Sequence, residues 1–279
     1  MQTSPSSSQW PADELRRLVA WYAAMGVDAP LEEAPIDRLA AKPPARIDAV
    51  PAATEAETRP DPVAPEPPTE RRAPVAVPVA EAESLARNAA ASANTLDELR
   101  AALAAFEGCN LRLTATNLVF ADGTPGSRVM FVGEAPGRDE DLQGLPFVGR
   151  AGQLLDRMLK AIGLARSDVY IANIVPWRPP GNRTPTPQET ASCRPFMIRQ
   201  IQLANPDFLV CLGGVSMREL FGVDGILRQR GKWRDYDTGT RTIRATAMLH
   251  PAYLLRQPLH KRLAWRDLIE LRTAMDAKP

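Results

Sequence analysis

Residues 81–279 predict an α/β fold, a three-layer sandwich with a mostly parallel, doubly wound central sheet. Three observations point there. Short apolar, β-branched runs alternate with longer stretches of helical periodicity, as in strands joined by crossover helices. Thr186-Pro-Gln-Glu189 reads as a capping box with proline at the first helical position, which marks one helix start sharply. The composition also changes near residue 81: residues 1–80 hold 14 of the chain's 27 prolines and a single glycine, Gly26. A length of 279 residues admits one domain with appendages or two small ones.

Taken in order, residues 1–27 hold one short helix, over 10–26. Pro11 suits its first position, Asp13 and Glu14 its first turn, and Gly26 its end. Leu15, Leu18, Val19, Tyr22 and Met25 form an apolar face that must dock on the chain's own domain or on a partner. Residues 28–80, rich in Pro, Ala and Glu and nearly devoid of aromatic side chains, cannot bury enough surface to offset the entropy of ordering and read as a disordered linker. Residues 83–106 read as one or two helices, with Thr95 capping the second. Strands are expected at Arg128–Val132, Val169–Val175, Phe208–Leu212 and Arg241–Leu249, and helices at Gln153–Ile162, Pro187–Leu203, Val215–Phe221 and Lys261–Met275.

Three cysteines exclude a disulfide framework and suggest a reducing compartment, and two histidines argue against a histidine-based metal site. No apolar run approaches the ~18 residues that span a bilayer, and MQTSPSSSQ lacks the basic start and apolar stretch of a signal peptide. A cytoplasmic protein without membrane contact is expected. The net charge of +1 hides an asymmetry: residues 28–80 carry ten acids and six bases, residues 107–279 carry 24 bases and 17 acids. A basic body on an acidic tether fits a polyanion partner.

In a doubly wound sheet, ligands bind beyond the carboxyl ends of the strands. Gly133-Glu-Ala-Pro-Gly137 follows the first predicted strand as a tight turn that exposes backbone N–H groups, with Glu134, Asp139, Glu140 and Asp141 in or just after it. It is neither a P-loop nor Gly-x-Gly-x-x-Gly. Phe147 lies between glycine-bounded turns, Asn173 near the end of the second strand, and His250 just after the last. The segment Trp177 to Arg183, braced by two prolines, offers Arg178, Asn182 and Arg183 to phosphates.

GEAPG (133–137), GLPFVGRAG (144–152), RPPGNRTPTPQE (178–189) and HPAYLLR (250–256), in this order and spacing, closely resemble family 4 uracil-DNA glycosylases. The resemblance spans Phe106 to Arg256. It implies a monofunctional enzyme that flips uracil from DNA, hydrolyses the N-glycosidic bond and leaves an abasic site for base-excision repair, with free uracil as second product. A monomer is expected. By this resemblance Gly133 and Ala135 border the base, Phe147 stacks on it, Asn173 reads its O4 and N3–H edge, and neutral His250 donates to O2 as negative charge collects there. Glu134 is the first choice for orienting water; Glu140 is the second, with exclusion of thymine as its other role. Arg178, Asn182 and Arg183 would contact DNA, and Arg256 would act as a wedge or a phosphate contact. The competing expectation is a DNA lesion or abasic-site binder without useful catalysis.

Family 4 enzymes hold a [4Fe–4S] cluster on four cysteine thiolates. Only two of the four positions remain cysteine here, Cys109 and Cys193; Arg112 and Trp177 stand at the other two, and Cys211 lies inside an apolar strand. The expectation is therefore that no cofactor and no metal is bound, and that Trp177 with the stem of Arg112 fills the vacated volume.

Overall fold

The structure, a computed structural model, describes residues 79–277; the helix read over 10–26 and the linker up to residue 78 lie outside the described residues. Two helices open the described chain, α1 (Val79–Ser92) and α2 (Leu96–Ala105). Thr95 caps α2 as its sequence context suggests, its hydroxyl accepting from the Glu98 N–H at 3.1 Å.

Six strands form one sheet: β1 (Asp122–Gly123), β2 (Val129–Gly133), β3 (Val169–Asn173), β4 (Phe208–Leu212), β5 (Arg234–Asp237) and β6 (Thr242–Met248), in the order β1-β3-β2-β4-β6-β5. The four central strands are parallel and correspond to the four read from sequence, with ends shifted by one or two residues. The edge strands β1 and β5 run antiparallel and were not expected. Every residue of β2, β3 and β4 is buried, as in a parallel sheet covered on both faces.

The helices sort onto the two faces by strand alternation. Met130, Val132, Leu209 and Cys211 share one core with α1, α2 and α5 (Pro187–Ala204). Val129, Phe131, Val210 and Leu212 share the other with α4 (Arg150–Ala161) and α9 (Lys261–Asp276). Period-2 alternation feeds both cores from the same strands, which completes the three layers. The shorter helices α3 (Arg138–Gln143), α6 (Gly214–Phe221), α7 (Ile226–Gln229) and α8 (Pro251–Arg256) gather near the strand ends; of these only α6 was expected.

Helix α5 begins where its residues dictate. The Thr186 hydroxyl accepts from the Glu189 N–H at 3.3 Å while the Glu189 carboxylate accepts from the Thr186 N–H at 2.7 Å. The helix stops at Asn205, which takes the left-handed conformation of a C-cap at φ 50°. Because this start fixes the end of the 178–186 loop, Thr186→Ala should lower stability by about 1 kcal/mol. Chemical denaturation would show it as a lower midpoint with an unchanged slope.

Candidate active site at the strand ends

A cleft of about 710 Å³ opens at the carboxyl ends of the central strands. From β2 the chain steps to β3 on one side and then to β4 on the other, so this end is the topological switch point of the sheet. Glu134, Ala135, Glu140, Phe147, Asn173, Asn182, Arg183, His250 and Arg256 all line the cleft. Residues up to 122 positions apart in sequence thus meet in one place.

Gly133 and Asn173 face each other across the β2–β3 ladder. A Cβ on Gly133 would lie 2.3 Å from the Asn173 Oδ1 and 2.7 Å from the Phe147 ring, so only glycine lets the amide and the aromatic approach. Asn173 is 4 % exposed, and its Oδ1 is buried without a hydrogen-bond partner among the described residues. A buried acceptor left unmatched costs about 1–3 kcal/mol, which a ligand that donates to it would recover. The Phe147 ring lies 5.5 Å from the His250 ring at an interplanar angle of 31°. Phe147 itself holds a left-handed backbone, φ 55°, rare for a residue with a side chain.

Glu134 follows β2 directly. Burial raises its carboxyl above the ordinary carboxylate range, while the Thr184 hydroxyl and the Arg218 charge work the other way. The Ala135 N–H, beside it, makes no hydrogen bond among the described residues. Glu140, the second choice for orienting water, is engaged by the backbone. Its two oxygens accept from the N–H groups of Gly137 at 3.0 Å, Val148 at 3.0 Å and Gly149 at 2.9 Å. A carboxylate that accepts three backbone bonds ties the 133–137 turn to the Phe147 loop and has most of its acceptor capacity taken.

His250 caps α8, its Nδ1 accepting from the Ala252 N–H at 3.1 Å. An accepting Nδ1 assigns the ring proton to Nε2, the donor form of a neutral imidazole. Burial pushes its pKa down to about 4, and the Arg256 charge adds to that. The unfolded ring takes its proton near 6.5, so His250 contributes stability that is present above that pH and lost as pH falls toward 4. In an NMR titration the His250 ring should stay neutral to about pH 5; a midpoint near 6.5 would show a solvated ring.

The expected DNA-contacting residues are partly engaged already. Arg183 forms a two-pronged pair with Glu189, at 2.8 and 2.7 Å, which holds the Glu189 carboxyl below the ordinary range. Arg178 donates to Asn182 Oδ1 at 2.7 Å and stands outside the cleft lining. Arg256 makes no ion pair among the described residues. Sequence reading missed Thr184, Arg218, Leu227 and Tyr253, which also line the cleft. Arg218 sits on α6 among ordinary surface residues; its one signal was a position five residues past the glycine that ends the β4 exit, Gly213.

Residues 120–269 match the uracil DNA glycosylase superfamily model. Among curated relatives, the Type-4 uracil-DNA glycosylase of Thermotoga maritima is 47% identical over 152 residues, 53% of this chain and 77% of that one. The Type-4 uracil-DNA glycosylase of Archaeoglobus fulgidus is 41% identical over 169 residues, 59% of this chain and 85% of that one. The Type-4 enzyme of Saccharolobus solfataricus is 37% identical over 177 residues, 61% and 82% of the two chains. The matched segment runs from just ahead of β1 into α9 and contains the cleft residues named above, and on this agreement of fold, site and relatives the chain belongs to the uracil-DNA glycosylase superfamily.

Proposed function

We propose that this chain excises uracil from DNA by hydrolysing the N-glycosidic bond, leaving an abasic site and free uracil, and that it works as a monomer. The observation that carries the reading is the Asn173 amide, buried at the cleft floor with an unmatched oxygen beside Phe147 and His250. Uracil offers a donor at N3 and an acceptor at O4, the complement of a carboxamide, whereas cytosine reverses that pattern. Phe147 stacks on the extruded ring, and the His250 Nε2–H meets O2, where charge develops as the base leaves. The Ala135 N–H adds a second donor. Glu134, held half-buried at the rim, orients water and stabilises the sugar cation.

A duplex with a single uracil tests this directly. Incubation followed by alkali should break the strand at that position. A retarded band that stays intact would overturn excision in favour of lesion binding. Glu134→Gln should slow the step by about a hundredfold or more while leaving DNA affinity nearly unchanged. Because Glu134 acts as a carboxylate whose pKa is raised, the wild-type rate should fall as pH drops through a midpoint above the ordinary carboxylate range, and this limb should vanish in the variant.

We further infer that the chain carries no iron–sulfur cluster, although the family it belongs to suggests one. The donor set does not fit. Cys109 and Cys193 face each other, so that Cys109 is drawn down in pKa and Cys193 pushed up. Trp177, at the third position, is 2 % exposed and packs in the same core as both thiols. Arg112, at the second, is half-exposed and lies 4.0 Å from Glu107. Two thiolates cannot satisfy four irons. Purified protein should be colourless, without absorbance near 400 nm and without stoichiometric iron; a brown anaerobic preparation with about four irons per chain would overturn this.

A further inference from the structure

The ring at the centre of the proposed base pocket stands on a backbone that needs outside support. Phe147 lies at φ 55° in a six-residue connection between α3 and α4 that has few regular hydrogen bonds of its own. Arg166, in a 3₁₀ turn just ahead of β3, supplies that support. Its NH1 donates to the Phe147 carbonyl at 3.0 Å, and its NH2 donates to the Pro146 carbonyl. The same guanidinium is aimed from behind by two carboxylates: Nε donates to Asp122 at 2.6 Å, and NH1 to Asp156 at 2.8 Å. On the far side the Phe147 carbonyl lies against Gly152, where a Cβ would come within 1.7 Å of the oxygen.

We propose that Arg166 is a positioning residue for base recognition: clamping the Pro146 and Phe147 carbonyls, it fixes the Phe147 ring at the level of the base between Gly133 and His250. The inference rests on the excision reading above. A planar fork with fixed N–H directions can serve two carbonyls and two carboxylates at once, which the point charge of a lysine cannot. Burial opposes the arginine charge, and the Asp122 and Asp156 carboxylates outweigh that opposition. The two-residue strand β1 acquires a purpose in this scheme. Gly123, at φ 84°, would place a Cβ 2.0 Å from the Val169 carbonyl, so only a bare residue lets β1 lie flush on β3 and bring Asp122 beside Arg166. Arg166 itself is absent from the cleft lining, so it acts through Phe147.

The test is a double-mutant cycle on the full chain, read as the single-turnover excision rate and as affinity for an undamaged duplex. Arg166→Lys keeps the charge and loses the fork; it should slow excision by about tenfold to a hundredfold with duplex affinity unchanged. Arg166→Ala should lose at least as much and recover in part with millimolar guanidinium. In a Phe147→Ala background, Arg166→Ala should cost less than about twofold more, since the ring it positions is gone. Losses that multiply in that background, or a fully active Arg166→Lys, would overturn the proposal. Should Arg166→Ala fail to fold, Asp156→Asn decides: it leaves the arginine in place but poorly aimed and should slow excision several-fold, and an unchanged rate would overturn the clamp. A wild-type chain that releases no uracil overturns the excision reading, and this inference with it; an active wild type with indifferent variants overturns this inference alone.

Discussion

Asn173 lies opposite Gly133 in the parallel ladder between β2 and β3, and the cleft is arranged around that pairing. The two strands are buried on both faces, so their register cannot slip without moving a whole row of apolar side chains into the wrong layer. The ladder therefore delivers a carboxamide, at the last residue of an otherwise apolar strand edge, to the same height as a residue without a side chain. The vacancy at Gly133 is what the Phe147 ring approaches, and the ring in turn sets the distance to His250. Phe147 thus links the Gly133–Asn173 pair on one side to His250 on the other.

Around this centre the charged groups divide into those that are spent and those that are poised. Glu140 is consumed by three backbone N–H groups, Asp141 accepts from the N–H groups of Thr116 and Asn117, and Glu189 is taken by Arg183 and its own cap. These carboxylates brace loops that carry little regular structure. Glu134 is different: burial works against its charge, and its compensation comes from one hydroxyl and one distant arginine. The neutral His250 completes the contrast, since a positive ring there would be poorly solvated and would feel the Arg256 charge. Desolvation disfavours the charged form of both groups: it keeps the imidazole neutral at neutral pH and raises the carboxyl, whose ionisation is favoured by Thr184 and Arg218.

The sequence carried much of this, unevenly. The central strands were legible because fully buried strands need unbroken β-branched or apolar runs, and α5 was legible because its capping box uses four specific residues in a row. The edge strands were not. β1 is two residues long, and β5 reads Arg-Asp-Tyr-Asp, whose half-exposed pattern looks like a loop; only the Asp237–Gly239 turn after it hinted at a hairpin. Four motifs located the cleft, three of them after strand ends, but no spacing rule distinguishes Glu134 from Glu140, whose hydrogen-bond surroundings differ only in the folded chain. Arg166 left no local signal at all. Its partners lie 44, 10, 19 and 20 residues away and include two main-chain carbonyls, which no side-chain pattern records.

The antiparallel strands at the two margins of the sheet also bear on how the molecule behaves among its own copies. A parallel sheet ending at β3 and β6 would present open rows of N–H and C=O groups to any extended chain. β6 is instead covered by β5, whose alternating Arg234, Asp235, Tyr236 and Asp237 place opposite charges along the outermost row. At the other margin β1 covers only Tyr170 and Ile171, enough to interrupt the ladder where it is most apolar. Both margins thus carry short or charged segments, which leave an extended chain less of an apolar, unpaired row to join, while the cleft lies away from them at the strand ends.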